Sequence, residues 1–252
     1  MERVGHGFRI AHRNGNANQR HELSLARLIV TLTWKVQCHG TLYLSLSQNP
    51  AHLDPDDAIT AAVVTLRSHY EGDLRFDHDL LPVKFVLTPE GRILLNVMAA
   101  MLLADETVLF VPRAEDGAME LLVTLEEAGP TAEAMTDRWR IYHGEPQDVR
   151  WAIAEIDMVR WHGTVLDGES MMSPNLLSPD EPALLRTLNA NCDALRRACH
   201  GGDVHVENPV AVGIDVDGID VRAAFGVLRL SLPEPIASRE NAPSTIDRLL
   251  NT

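Results

Sequence analysis

The sequence predicts a mainly β, α+β protein: an antiparallel β-barrel followed by a small α+β C-terminal domain. Three observations carry that prediction. Between residues 74 and 172, apolar strand-like runs come in pairs around Gly-containing turn signals. Helical periodicity is confined to short stretches beside those runs. A Pro-punctuated segment at 173–180 then precedes a helix pattern and one more hairpin pattern. A stack of antiparallel hairpins with few helices closes on itself, because closure removes exposed strand edges.

The elements follow in order. Residues 1–22 are rich in Asn, Arg and His and show little periodicity, so they read as a tail. Residues 28–36 and 41–47 read as two strands, with Leu42, Leu44 and Leu46 alternating with polar neighbours. At 54–70 the period turns helical. Asp54 is the cap, Pro55 the first helical residue, and Ile59, Val63, Leu66 and Tyr70 share a face. Val83–Thr88 and Arg92–Val97 flank Pro89-Glu90-Gly91, and Thr107–Pro112 and Met119–Leu125 flank Glu115-Asp116-Gly117. A helix is expected at 131–143. A third hairpin signal is Asp167-Gly168, between Trp151–Leu166 and Glu169–Met172.

After the linker, Ser178 is the expected N-cap of a long helix, with Pro179 first and Glu181 closing a capping box. Leu184, Leu188, Leu195 and Cys199 mark its buried stripe, and Gly201-Gly202 its stop. Asp217-Gly218 reads as the type I′ turn of a hairpin over 210–222. That hairpin brings Asp215 and Asp220 together. Two like charges so placed need solvent, a cation, or an arginine such as Arg222. A strand at 226–232 and a helix from Ser244 finish the chain. The resulting division is 1–53 as an N-terminal extension with a hairpin at 28–47, 54–172 as the barrel, 173–180 as linker and 181–252 as the C-terminal domain.

Composition narrows the function. The chain has 252 residues, 36 acids and 22 bases, for a net charge of −14. Residues 1–50 hold six bases and two acids, so +4, which leaves −18 on the remainder. A body this acidic lacks the basic footprint of a nucleic-acid binder. Three cysteines do not make a disulfide framework, and no apolar run is long enough to span a membrane. With no apolar signal core at the start, a cytoplasmic protein is expected.

The C-terminal sequence carries a resemblance. "EPALLRTLNANCDALRRA" followed by "VAVGIDVDGIDVRAAFGVLRLSLPEPI" is similar to the small domain appended to haem-utilisation proteins of the HugZ type. In that family the domain follows a split barrel of the pyridoxamine-phosphate-oxidase type. The order "LPVKFVLTPEGRILLNV", "LLADETVLFVP", "LLVTLEEAG", "IDMVRWHGTVLDGESM" resembles that barrel. The resemblance implies FMN or haem as cofactor, oxidoreductase chemistry and a homodimer. The chain also departs from the family. Asn189 is kept, but Thr187 and Cys192 stand where histidines are usual, and "NVMAAMLLADETV" is shorter and more apolar than the flavin-phosphate segment of relatives.

The expected cofactor-binding residues are Arg67, Lys84, Arg92 and His162. The three cations are candidates for a phosphate or propionate. Lys84 lies between Val83 and Phe85, where a lysine pointing to solvent is the plainer reading. Haem would need an axial ligand, for which His143, His162, His200 and His205 are the candidates. Cys192, Cys199, His200 and His205 match no zinc spacing, and Asp215–Gly218 reads as a turn and not a calcium loop. No catalytic residue and no metal site is assigned. Three functions stay open: a flavin- or haem-associated oxidoreductase or haem-utilisation protein, a non-catalytic binding or regulatory module on the same fold, and a haem carrier or storage protein without turnover.

Overall fold

The structure is a computed structural model. It describes residues 54–129, 132–148, 150–199 and 206–251. The expected tail and hairpin at 28–47, the Gly201-Gly202 stop, His200 and His205 lie outside the described residues.

Helix α1 (Pro55–Arg67) opens the described chain. Asp54 caps it by accepting from the Asp56 amide at 3.2 Å, and Pro55 sits at its first position, where no N–H is needed. Its fully buried face is Ala58, Ala62 and Leu66, with Ile59 and Val63 packed at the margin. Tyr70 lies beyond the helix end.

Strands β1 (Glu71–Phe76), β2 (Asp79–Leu87), β3 (Ile93–Val97), β4 (Thr107–Val111), β5 (Met119–Glu127) and β6 (Arg150–Trp161) follow. Every pairing is antiparallel, in the order β3-β2-β1-β4-β5-β6, and β3 also pairs with β6 to close a six-stranded barrel. Leu74, Phe85, Leu95, Leu109, Leu121 and Ile156 fill its interior. A packed core of this kind leaves the barrel axis without room for a ligand. Short α2 (Ala99–Leu102) links β3 to β4, and α3 (Glu133–His143) lies outside the barrel.

Strand β7 (Thr164–Asp167) extends the sheet from β6. The turn between them is His162-Gly163, with φ of 49° and 79°, and not Asp167-Gly168. Two successive positive φ values make the type I′ geometry that matches strand twist, and Gly163 takes its share at no steric cost. Asp167 instead caps α4 (Gly168–Met171) by accepting from the Ser170 amide at 2.9 Å.

The expected long helix is two: α5 (Glu181–Ala190) and α6 (Cys192–Cys199), broken at Asn191. Ser178 and Pro179 sit in the turn before α5, and the Glu181 carboxylate does not close a capping box. It turns instead to Arg138 and to the Ile214 amide. Strands β8 (Val210–Ile214), β9 (Gly218–Ala223) and β10 (Gly226–Ser231) form a three-stranded sheet, and α7 (Ala242–Leu250) packs beneath it. The β8–β9 connection is a loop, Asp215–Asp217, and not an Asp217-Gly218 type I′ turn. The Asp215 side chain closes it by accepting from the Asp217 and Gly218 amides.

The outer edge of β8 is closed by side chains. Asn189 donates to the Ala211 carbonyl at 2.9 Å and accepts from the Ala211 amide at 2.8 Å. Glu181 accepts from the Ile214 amide, and Asn175 donates to the Ile214 carbonyl. Edge groups paired in this way do not recruit a further strand. Asn189, shared with the resembling family, therefore has a structural role here. Among the described residues, no helix is long and apolar enough to cross a membrane.

Candidate functional site

The strongest concentration of polar chemistry lies where the barrel meets the C-terminal sheet. Asp220 on β9 sits at its centre. Tyr70, just before β1, donates its hydroxyl to Asp220 Oδ1 at 2.5 Å. Tyr142, from the last turn of α3, donates to Oδ2 at 2.7 Å. Arg229 on β10 donates Nη1 to Asp220 at 2.7 Å and Nη2 to Asp215. The Arg229 side chain is 4% exposed, so this fork is fully enclosed.

Around this centre, Arg138 of α3 donates to Glu181 at 2.8 Å and to the Tyr142 hydroxyl at 3.0 Å. Arg67, at the end of α1, donates to Asp217 at 2.8 Å and to the Ser173 carbonyl at 3.1 Å. Gly213 is required here by space. A Cβ at that position would stand 1.8 Å from the Tyr142 hydroxyl.

The electrostatics follow from burial and pairing. Burial, then the Asp220 charge, raises the Tyr70 and Tyr142 hydroxyls well above the usual tyrosine value, so both stay protonated and donate. Burial works against the Arg229 charge, but Asp220, Tyr70 and Asp215 outweigh it and hold the guanidinium protonated. Three arginines, Arg67, Arg138 and Arg229, face four carboxylates, Glu181, Asp215, Asp217 and Asp220. The cluster is therefore net negative.

Between these groups lies a cavity of about 40 Å³, lined among others by Arg67, Tyr70, Arg138, Glu181, Asp215 and Asp220. A pocket for a drug-sized ligand is typically about 300–1,000 Å³. An FMN phosphate or haem propionate also needs cations or amides free to turn toward it. The cations lining this cavity already face carboxylates, so the residues do not fit either cofactor.

The expected site residues are not brought to one place. Arg67 alone of the four lines the cavity, and it is buried and bound to Asp217. Lys84 is exposed on β2, Arg92 is half-buried at the start of β3, and His162 is exposed in the β6–β7 turn and not within a strand. The His162 ring lies 4.7 Å from the Trp161 ring, centroid to centroid.

His143 is a structural residue. Its Nε2 donates to the Phe85 carbonyl at 2.9 Å, beside Trp139, which donates to the Lys84 carbonyl at 3.0 Å. These bonds fasten α3 to β2. Burial, and then the Lys84 charge, lower His143 to about 4. Cys192 is exposed and Cys199 buried. Among the described residues, no group of His, Cys, Asp or Glu is arranged to hold a metal ion.

The sequence brings Asp215 and Asp220 together and leaves solvent, a cation or an arginine such as Arg222 as their counterpart. Arg222 is exposed and donates to the Ile141 carbonyl. Sequence reasoning missed Arg229, Tyr70, Tyr142 and Arg138. The available signal was register: Arg229 stands opposite Asp220 once β10 pairs with β9.

The chain matches no protein-family model and no curated protein. Among solved structures, a protein of unknown function from Agrobacterium tumefaciens is similar, with a TM-score of 0.61 and 15% identity. The match covers 80% of this chain and 98% of that one. What the two share is the fold. A heme-binding protein from Mycobacterium smegmatis is similar at a TM-score of 0.38 and 21% identity, covering 77% of this chain and 96% of that one. That likeness is too loose to bear on what this chain binds.

Two outcomes are expected. Replacing Arg229 with Ala leaves two buried carboxylates facing each other and costs about 3–5 kcal/mol in urea unfolding, whereas Arg222→Ala costs under about 1 kcal/mol. Equal costs would contradict the assignment. The second outcome concerns pH. The unfolded chain takes up a proton at His143 near pH 6.5, and the folded chain resists until about 4. The His143 contribution is therefore complete above pH 6.5, falls as pH drops toward 4, and levels off below. The difference in unfolding free energy between wild type and His143→Gln should shrink over that window.

Proposed function

We propose that this chain is a non-catalytic binding module on the split-barrel fold, homodimeric and without flavin or haem chemistry of its own. The observation that carries this reading is the state of Arg67. It is the one expected cofactor cation that lines a cavity, and its guanidinium is buried against Asp217 and the Ser173 carbonyl. The cations that an anionic cofactor needs instead join the barrel to the C-terminal sheet.

Exposed apolar groups on the barrel support the homodimer. Leu80 and Leu81 are 49% and 38% exposed on β2, and Leu103, after α2, is 83% exposed. Carrying the β2–β3 register onward places Met98, also exposed, beside Pro82. Exposed apolar side chains on the outside of a barrel favour association. Asp79 and Asp105 stand next to it in sequence. Two copies meeting there bring like charges together, so salt strengthens the contact.

A second reading, an FMN- or haem-dependent oxidoreductase of the haem-utilisation type, is favoured by His162. Its imidazole is exposed beside Trp161 and has no hydrogen-bond partner among the described residues.

Absorption spectroscopy of the purified full chain separates the two readings, followed by titration with FMN and with haemin. The binding-module reading predicts a colourless protein and no saturable uptake of either at micromolar levels. A flavin band, or a Soret shift lost in His162→Ala, would establish the second reading instead. Light scattering should give twice the chain mass, and Leu103→Asp should return it to a monomer.

A further inference from the structure

A second concavity lies away from the charged junction. Between the end of α3, the outer side of α5 and the start of β8 runs an open groove of about 610 Å³. Ile141, Leu185, Val210 and Val212 supply its apolar surface. Ile141 and Val210 keep 48% and 38% of their surface exposed. Arg186 and Arg222 line the same groove, and among the described residues no carboxylate does. On a chain of net charge −14, an apolar groove whose described charged lining is cationic is a local reversal of sign.

The backbone beside the groove limits what can enter it. Asn189 holds both polar groups of Ala211, so an incoming chain finds no strand edge there. Recognition must come from side chains, which is how an amphipathic helix docks. A second copy meeting this groove across a two-fold axis would set arginines against arginines with no acid between them. Arg222 is anchored through the Ile141 carbonyl, while Arg186 is exposed on α5.

We propose that this groove docks an acidic amphipathic helix of another protein, apolar anchors on its floor and carboxylates toward Arg186 and Arg222. The inference deepens the binding-module reading by naming the partner chemistry. The two fail separately: saturable FMN or haemin uptake counts against the binding-module reading, whereas loss of glutamate-peptide binding by a colourless protein counts against this inference alone.

The test uses the full chain and two fluorescein-labelled peptides of about 14 residues, roughly four helical turns. One has leucines on one face and glutamates elsewhere, and the other has lysines in place of the glutamates. Anisotropy should show micromolar binding of the glutamate peptide, weakened about tenfold or more by Arg186→Glu and by Val210→Asp and reduced by salt. The lysine peptide should not bind. Amide shifts in ¹⁵N-labelled protein should be confined to the groove residues, and far-UV circular dichroism should show both variants folded. No binding of the glutamate peptide, equal binding by wild type and Arg186→Glu, or preference for the lysine peptide would overturn the proposal. So would a chain whose mass falls by half on Val210→Asp, because the groove would then be a contact between copies.

Discussion

Two carboxylates, Asp215 and Asp220, are enclosed together at one end of a small hairpin, and a single buried arginine makes that arrangement tolerable. Arg229 forks between them. Without it, like charges in a low-dielectric setting would repel strongly and stay poorly solvated. The fork leaves Asp220 with further acceptor capacity, which is met by Tyr70 and Tyr142. Neither tyrosine belongs to the C-terminal sheet. One precedes the first barrel strand and the other ends α3. Satisfying Asp220 therefore fixes where the C-terminal sheet sits on the barrel, and Gly213 must lack a side chain for the Tyr142 hydroxyl to reach it. Trp139, Tyr142, Val86, Leu94 and Val212 pack into one apolar cluster beside this network, so the same contact is held by both charge and burial.

The arrangement has a functional consequence. Split barrels offer a shape, and function lies in the groups displayed on it. In this chain the buried cations serve the junction. What remains available is on the outside: the apolar leucines of β2 and the segment after α2, and the arginine-edged groove beside α5. Both are surfaces that the proposed binding module would offer to another macromolecule.

Much of the fold was legible in the sequence, because turn chemistry and two-residue alternation report local geometry directly. Gly91 and Gly117 mark the hairpin turns expected of them, each with positive φ. The failures share one cause. Asp167-Gly168 looked like a turn, yet the adjacent His162-Gly163 took that role and Asp167 became a cap. Glu181 looked like half of a capping box, yet Arg138 and the Ile214 amide claimed its carboxylate. In each case a local pattern had two uses: for Asp167 a cap on the Ser170 amide three residues on prevailed, and for Glu181 partners distant in sequence decided. The candidate site was legible only as a problem, a facing pair of aspartates. Its solution lay in Arg229, Tyr70 and Tyr142, and the two tyrosines lie 150 and 78 residues from Asp220.

The central claim is that Asp220 joins the barrel to the C-terminal sheet through the barrel-side tyrosines. A double-mutant cycle between Tyr70→Phe and Asp220→Asn, read by urea unfolding of the full chain, tests it most directly. A coupling of about 1 kcal/mol or more is predicted, as for groups sharing one buried network. Additivity to within about 0.3 kcal/mol would contradict the account, because that is how independent sites behave.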